Sequence, residues 1–206
     1  MTVAAVSAAD AIDAAAARRI EAVVIGASAG GFEAILAVLR GLPATYPMPL
    51  VAVLHLPDNH ESRLAELFGF RLALQVREAR DKESLAPGTL YFAPSGYHLS
   101  IETDFSFSLS CEERVSYARP SIDVLFDSAC DAYGKTLAGI LLTGANYDGA
   151  AGLVGMRVAG GLTIVQDPAT AEVSTMPEAA LRRMTPDLIL PLAEINALLR
   201  RLGQPQ

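Results

Sequence analysis

The sequence predicts a doubly wound α/β domain: a mostly parallel β-sheet flanked by helices, with a small antiparallel β-hairpin insert. Several strands read as continuous apolar runs, such as LVAVL at 50–54 and LAGILLT at 137–143, which is typical of parallel strands buried on both faces. Amphipathic helical segments alternate with these runs, as in strand–helix–strand units. Between residues 72 and 110 the runs are shorter and are separated by turn residues, which indicates the insert.

The first strand–helix unit begins just after Glu21. AVVIG at 22–26 is a short apolar run with β-branched residues at its centre, and the glycine-rich turn GASAGG at 26–31 follows it. Apolar residues at helical spacing then predict an amphipathic helix that ends at Gly41. The order is therefore strand, tight turn and helix.

The later elements continue this alternation on both sides of the insert. The second strand leads to a helix around 60–68, for which Asp58 or Asn59 is the predicted N-cap. The runs YHLSI and FSFSLS alternate with period two and predict the hairpin. A helix capped by Ser121 comes next, and the strand LAGILLT follows it. The series is completed by AAGLVGMRV, LTIVQ, PEAALRRM, LIL and AEINALLRRL.

Length and composition indicate one well-filled domain with a short N-terminal extension. Of the 206 residues 51% are hydrophobic, and we find no internal repeat, low-complexity linker or second domain. Residues 1–20 are rich in alanine, and we expect them to form an arm or a short helix. Residues 21–202 are expected to form the functional domain.

Charge and hydropathy exclude several classes of function. The net charge is −7 and no basic stripe is present, so a nucleic-acid partner is not expected. Cys111 and Cys130 make neither a disulfide framework nor a zinc set. Charges or prolines interrupt every apolar stretch before about 18 residues, and no signal peptide is recognisable. We expect a cytoplasmic protein without membrane insertion, and the sequence leaves its oligomeric state open.

The glycine-rich turn contains the pattern G-x-S-x-G with Ser28 at its centre, in the strand–turn–helix context that this motif requires. Small neighbours expose the hydroxyl, and amide groups at the helix start are placed to hold an oxyanion. The turn also fits a phosphate-binding loop in which Ser28 only caps the helix. Ser28, however, occupies the second glycine position of the dinucleotide fingerprint, and no acidic residue ends the strand at 50–54.

Two further polar residues follow predicted strands. His55 comes directly after strand 50–54, and Asp148 lies in the loop after strand 137–143. Neighbouring parallel strands end at one edge of the sheet, so both residues are expected near Ser28. A histidine activates a serine hydroxyl, and a carboxylate holds the histidine tautomer. The simpler interpretations are an ordinary loop histidine and an aspartate that caps the next helix.

The other histidines are less well placed. His60 falls at the start of a predicted exposed helix, and His98 lies in the hairpin region. The order Ser…His…Asp argues against the α/β-hydrolase superfamily but is compatible with a triad, because triads recur in different chain orders. From the residues alone we infer a serine hydrolase with the triad Ser28, His55 and Asp148.

Six ordered segments, from about Glu21 to Leu199, carry a family resemblance. They are IGASAGG (25–31), VLHLP (53–57), VREARDKESLAPGTLYFAPSGYHL (76–99), ARPSIDVLF (118–126), GILLTGANYDGAAGL (139–153) and TIVQDPATAEVSTMPEAA (163–180). Together they resemble the catalytic domain of the chemotaxis protein-glutamate methylesterases (CheB). Residues 21–202 are therefore expected to be a methylesterase-like catalytic domain.

The resemblance implies that Ser28 is the nucleophile, His55 the base and Asp148 the carboxylate behind it. It implies hydrolysis of methyl-esterified glutamate side chains on chemoreceptors or a related signalling protein, with release of methanol. Deamidation of glutamines is a second activity in the family. No metal or organic cofactor is required by this chemistry.

The chain departs from the family pattern in several places. Only about twenty residues precede the domain, which implies a stand-alone form without the usual receiver domain. Ala29 replaces the usual threonine after the nucleophile, and Val115-Ser116-Tyr117-Ala118 replaces a polar stretch before Arg119. The loop usually written Thr-Gly-Met-Gly-x-Asp-Gly reads TGANYDG at 143–149. Two alternatives stay open: a catalytically weak binding module of a chemosensory array and a nucleotide-binding domain.

Overall fold

Strands and helices alternate along most of the chain in the computed structural model, which describes residues 8–56 and 63–204. The α-helices of this part are α1 (Ala8–Ala16), α2 (Gly31–Leu39), α3 (Leu64–Gly69), α4 (Ile122–Tyr133), α5 (Ala150–Val158), α6 (Thr175–Arg183) and α7 (Leu192–Leu202). The β-strands are β1 (Ala22–Ala27), β2 (Leu50–Leu54), β3 (Gln75–Glu78), β4 (Thr89–Phe92), β5 (His98–Ile101), β6 (Phe107–Ser110), β7 (Leu137–Leu141), β8 (Leu162–Gln166) and β9 (Leu188–Leu190).

Seven strands form one parallel sheet in the order β3-β4-β2-β1-β7-β8-β9. The chain moves from β1 to β2 on one side and later returns to the other side of β1 with β7. The strand order therefore reverses at β1, and a crevice opens there at the carboxyl ends of the strands. This doubly wound sheet, flanked by helices, confirms the predicted fold class.

Helices cover both faces of the sheet. Consecutive residues of β1 point to opposite faces, so Val23 and Ile25 pack into a cluster with residues of α1, α2, α3 and α7. Ala22 and Val24 pack into a second cluster with residues of α4, α5 and α6. Every residue of β1 and β2 is buried. The continuous apolar runs of the sequence thus reflect burial on both faces.

The predicted hairpin forms a separate two-stranded antiparallel sheet. The runs LALQV and TLYFA contribute to β3 and β4, which join the main sheet in parallel. YHLSI and FSFSLS form β5 and β6, in which His98 lies opposite Ser110 and Ile101 opposite Phe107. This pair packs on α4, where the Ile101 amide donates to the Ser128 hydroxyl at 3.1 Å.

The ends of some elements differ from the expectations. α3 begins at Leu64, and the predicted caps Asp58 and Asn59 lie outside the described residues, as does His60. Helix α1 packs against α7, and Ile12 joins the apolar cluster on that side of the sheet. Within residues 8–56 and 63–204, no helix combines the length and the apolar character needed to span a bilayer.

Candidate active site

Three loops meet at the point where the strand order reverses. They follow β1, β2 and β7 and carry the three predicted site residues, Ser28, His55 and Asp148. Backbone hydrogen bonds join the loops: the Ser28 amide donates to the Thr143 carbonyl at 3.0 Å, and the His55 amide donates to the Ala27 carbonyl at 3.1 Å. The position of each loop is therefore coupled to its neighbours.

Ser28 lies in the sharp turn between β1 and α2. Gly30 has a φ of 74°, in the left-handed region that glycine adopts most readily, and the Gly31 amide donates to the Ser28 carbonyl at 2.8 Å. The N-cap residue of α2 is Gly30, which has no side chain, so Ser28 is not at the N-cap position. Within the described part of the chain, the Ala29 amide has no acceptor, so this group is available to an oxyanion.

His55 follows β2, and its side chain is 13% exposed. Its Nε2 lies 2.9 Å from Asp148 Oδ2. An ionised carboxylate only accepts hydrogen bonds, so we assign the proton of neutral His55 to Nε2. Nδ1 then carries the lone pair and is the basic atom of the ring.

Asn146 forms a hydrogen bond with this basic atom. Its side-chain amide Nδ2 donates to His55 Nδ1 at 3.1 Å, while its Oδ1 accepts the Asp148 amide at 3.1 Å. Among the described residues, no hydrogen bond joins the Ser28 hydroxyl to His55. The structure thus brings His55 and Asp148 into contact and places Ser28 in the same cleft, with Asn146 on the atom that would receive the serine proton.

The Asp148 carboxylate is fully buried and accepts five hydrogen bonds, between 2.7 and 3.0 Å. The donors are His55 Nε2, the Ser121 hydroxyl and the amides of Ile122, Asp123 and Gly149. Burial alone would raise the pKa of this carboxyl group. The hydrogen bonds from His55 and from the amides of α4 outweigh burial and lower the pKa below its ordinary value of 3.8.

Asp148 caps the N-terminus of α4, and Asp123 of α4 caps the N-terminus of α5. Asp148 accepts from the first amides of α4, whereas Asp123 in α4 accepts from the Ala151 and Gly152 amides at the start of α5, at 3.1 and 2.8 Å. Ser121 is the N-cap residue of α4, as predicted, but its hydroxyl makes no cap hydrogen bond and donates to Asp148 instead. Burial, together with the neighbouring Asp148 charge, raises the pKa of Asp123 to about 6.

A cleft of about 270 Å³ opens beside these residues. It is lined by Ser28, His55, Leu56, Arg114, Tyr117, Ala118, Arg119, Pro120 and Asn146. Among the described residues of this lining, Arg114 and Arg119 are the charged ones and none is a carboxylate.

Sequence reasoning missed the residues that support the site. His98 is buried: its Nε2 lies 3.0 Å from the Glu113 carbonyl, and its Nδ1 accepts the Ser121 amide at 3.2 Å. It therefore ties the hairpin to the first turn of α4. Asn146 was visible only as a replacement in the glycine-rich loop, and no sequence pattern indicated that it would contact His55.

The fold and the cleft define a class: a doubly wound α/β protein with a serine, a histidine and a buried aspartate where its strand order reverses. This arrangement is typical of serine-type hydrolases. The catalytic roles of Ser28, His55 and Asp148 stay predictions at this point.

Comparison with known proteins identifies the family within this class. The family described as CheB methylesterase matches residues 23–199. The chain is 44% identical over 184 residues to a Leptospira interrogans protein provisionally named a protein-glutamate methylesterase/protein-glutamine glutaminase, covering 89% of this chain and 95% of that protein. It is 45% identical over 192 residues to a protein of the same activity name, numbered 2, from Anaeromyxobacter dehalogenans, covering 92% and 56%.

A solved structure agrees with these matches. The crystal structure of the Thermotoga maritima CheB methylesterase catalytic domain superposes with a TM-score of 0.84 at 31% sequence identity, covering 89% of this chain and 98% of that domain. The chain therefore belongs to the CheB methylesterase family, as the sequence resemblance indicated.

The raised pKa of the Asp123 carboxyl predicts how the free energy of unfolding depends on pH. Its pKa is raised from 3.8 to about 6, so its stabilising contribution is complete below about pH 3.8 and is lost as the pH rises through about 6. Asp123→Asn keeps an acceptor for the α5 amides without the charge. We expect the free energy of unfolding of this variant to increase relative to wild type between pH 4 and 7, by on the order of 2 kcal/mol.

Urea denaturation at several pH values measures this effect, and Asp187 supplies a control of opposite sign. Burial would raise the pKa of Asp187, but hydrogen bonds from Thr163 and Arg157 lower it, so its contribution is present above its ordinary pKa and is lost in acid. Asp187→Asn should therefore cost most stability near pH 7 and least near pH 3. A pH-independent difference between Asp123→Asn and wild type would contradict the assignment.

The hydrogen bond from Asn146 to His55 leads to a prediction for the reactivity of Ser28. Asn146→Ala removes the donor on His55 Nδ1, so the Ser28 hydroxyl no longer competes for that atom. We expect Ser28 to react about 2- to 12-fold faster with a fluorophosphonate, since a neutral hydrogen bond contributes about 0.5–1.5 kcal/mol. Asn196→Ala is the control. It removes a side-chain amide that donates to the Val38 and Arg40 carbonyls away from the cleft, so it should not change the rate of Ser28 labelling. Slower labelling of Asn146→Ala would mean that Asn146 holds His55 in its active position.

Proposed function

We propose that this chain is a cytoplasmic protein-glutamate methylesterase that demethylates glutamate methyl esters on a chemoreceptor or a related signalling protein. The observation that carries the proposal is the 2.9 Å contact between His55 Nε2 and Asp148 Oδ2 in the cleft that Ser28 also lines. Membership of the CheB methylesterase family and the activity named for its relatives support the choice of substrate.

The proposed reaction begins with acylation of Ser28. As a methyl ester enters the cleft, the Ser28 hydroxyl displaces Asn146 from His55 Nδ1. Ser28 Oγ then attacks the ester carbonyl carbon while its proton moves to Nδ1, and the Asp148 carboxylate stabilises the resulting imidazolium. The Ala29 amide donates to the oxyanion.

Three proton transfers complete the cycle. The tetrahedral intermediate collapses, the carbon–methoxy bond breaks, and methanol leaves with the proton from His55. Water then attacks the acyl-enzyme and gives a proton to Nδ1, which returns it to Ser28 Oγ as the glutamate carboxylate is released. The same steps on a glutamine amide would release ammonia, in line with the second activity in the names of the relatives.

The alternatives are not favoured. The family match argues against a nucleotide-binding domain, although the glycine turn alone is compatible with one. A catalytically weak binding module is less well supported because the His55–Asp148 pair is hydrogen bonded in the cleft that Ser28 also lines.

The test of the proposal is release of methanol from a methyl-esterified chemoreceptor. We expect Ser28→Ala to reduce the rate by at least about 10³-fold, because removing the nucleophile of a triad leaves only binding and the oxyanion site. Ser84→Ala, an exposed serine outside the cleft, is the matched control and should keep the wild-type rate. Equal release by wild type and Ser28→Ala would rule out Ser28, and no release by either would rule out the esterase.

A further inference from the structure

The hydroxyl of Thr143 joins separate segments of the chain beside Ser28. Thr143 lies just after β7 and is 1% exposed. Its Oγ1 lies 2.9 Å from the Ala29 carbonyl and 3.2 Å from the Val173 carbonyl, and it accepts the Val173 amide at 2.9 Å. A hydroxyl has a single proton to donate, so we assign it to the shorter contact, the Ala29 carbonyl. The side chain of Thr143 therefore connects the turn after β1 with the loop between β8 and α6.

The backbone of Thr143 binds the same turn on the amino side of Ser28. The Ser28 amide donates to the Thr143 carbonyl at 3.0 Å. The peptide group between Ser28 and Ala29 therefore lies between two hydrogen bonds to Thr143, one from the Ser28 amide and one to the Ala29 carbonyl. This peptide group carries the Ala29 amide, the donor available to an oxyanion. Thr143 thus holds both ends of the unit that carries the nucleophile and this donor.

The turn needs this support because it contains a glycine. Gly30 has a φ of 74°, and glycine populates positive and negative φ about equally, so the peptide between Ala29 and Gly30 has more than one accessible orientation. The Thr143 hydroxyl bonds the carbonyl of this peptide and favours one of these orientations. Loss of the bond would let the peptide rotate and would move the Ala29 amide that precedes it.

The residue after Thr143 also approaches Ser28 closely. A Cβ at Gly144 would lie 3.0 Å from Ser28 Cβ and 2.6 Å from Met176 Cε. The Gly144 amide donates to the Val173 carbonyl at 3.1 Å, and the Met176 amide donates to the Gly144 carbonyl at 3.0 Å. The loop after β7 therefore packs against the base of the Ser28 side chain and is itself held by the start of α6.

We propose that Thr143 is a positioning residue for the nucleophile, whose hydroxyl and carbonyl hold the Ser28–Ala29 peptide in the orientation that attack requires. It acts through Ser28 and the Ala29 amide rather than on the ester itself. This inference rests on the proposed hydrolase mechanism and deepens it, since it assigns the alignment of nucleophile and oxyanion donor to one buried residue. A displacement of about 1 Å in a catalytic site lowers the rate on the order of 10²-fold, so loosening this peptide should be visible in turnover.

Thr143→Val tests the hydroxyl, because valine keeps the branched shape and cannot bond the Ala29 carbonyl. We expect the rate of Ser28 labelling by a small fluorophosphonate, and kcat for methanol release from a methyl-esterified chemoreceptor, to fall about 10- to 100-fold, with KM within about twofold of wild type. Thr143→Ser keeps the hydroxyl and should restore both rates to within about threefold of wild type. Thr143→Ala, which also lacks the hydroxyl, should be as slow as Thr143→Val and serves where the valine variant does not fold.

Thr163→Val is the matched control for lost stability. Thr163 is also fully buried, and its hydroxyl donates to Asp187 Oδ2 at 2.9 Å and accepts the Asp187 amide at 3.0 Å. Thr163 is not among the described residues that line the cleft. Both valine variants lose a buried hydroxyl that donates and accepts, so both should have a lower melting temperature than wild type. Below that temperature, only Thr143→Val should label more slowly.

Four results would overturn the proposal. Thr143→Val could label at the wild-type rate, or Thr163→Val could lose as much activity, which would indicate a general effect of lost stability. Thr143→Ser could be as slow as Thr143→Val, which would show that the hydroxyl is not the cause. A rise in KM with unchanged kcat would indicate that Thr143 acts on substrate binding instead.

Labelling separates this proposal from the methylesterase proposal, because the fluorophosphonate reports on Ser28 without a receptor substrate. Labelling that Thr143→Val slows and Thr143→Ser restores, without methanol release by wild type, would contradict the methylesterase and support the role of Thr143. Methanol release by wild type, with labelling that does not depend on Thr143, would contradict the role of Thr143 alone. A wild-type Ser28 that resists the probe would overturn the positioning role, since no active nucleophile would be present to position.

Discussion

The buried carboxylate of Asp148 is the constraint on which the site depends. Its oxygens accept five hydrogen bonds, three of them from the backbone amides of Ile122, Asp123 and Gly149. A buried carboxylate without such partners is strongly destabilising, so the first turn of α4 and the loop after β7 must keep their relative position. His55 then meets a fixed acceptor, which places the proton of its neutral ring on Nε2 and leaves Nδ1 unprotonated.

The sheet supplies the positions that this carboxylate requires. β1 lies between β2 and β7, so the loops that carry the three site residues meet at one edge. Two glycines allow α4 to approach this edge: a Cβ at Gly26 or Gly149 would lie 2.3 or 2.5 Å from Ile122 Cγ2. Because these positions lack a Cβ, the amides of α4 reach Asp148.

The fold class and the three strand-end residues could be predicted because they follow from backbone rules: burial on both faces, strand–helix alternation and ligands at carboxyl ends of strands. The contacts that support the site could not be predicted from the sequence. Ser121 carries an ordinary cap signal, but the α4 amides bond Asp148, which lies 26 residues from Ile122 in the chain. The contact of Asn146 with His55 depends on the conformation of one loop, and the positive φ of Tyr117 contradicts its residue preference.

The central claim is that Asp148 holds His55 with the proton on Nε2, and nitrogen NMR of ¹⁵N-histidine-labelled protein tests it most directly. His55→Gln identifies the His55 signals by their loss, which separates them from those of His60 and His98. For neutral His55 we expect a protonated Nε2 and an unprotonated Nδ1, with this preference lost in Asp148→Asn. A proton on Nδ1 in the wild-type protein would contradict the claim, since that atom could then not accept the proton of Ser28.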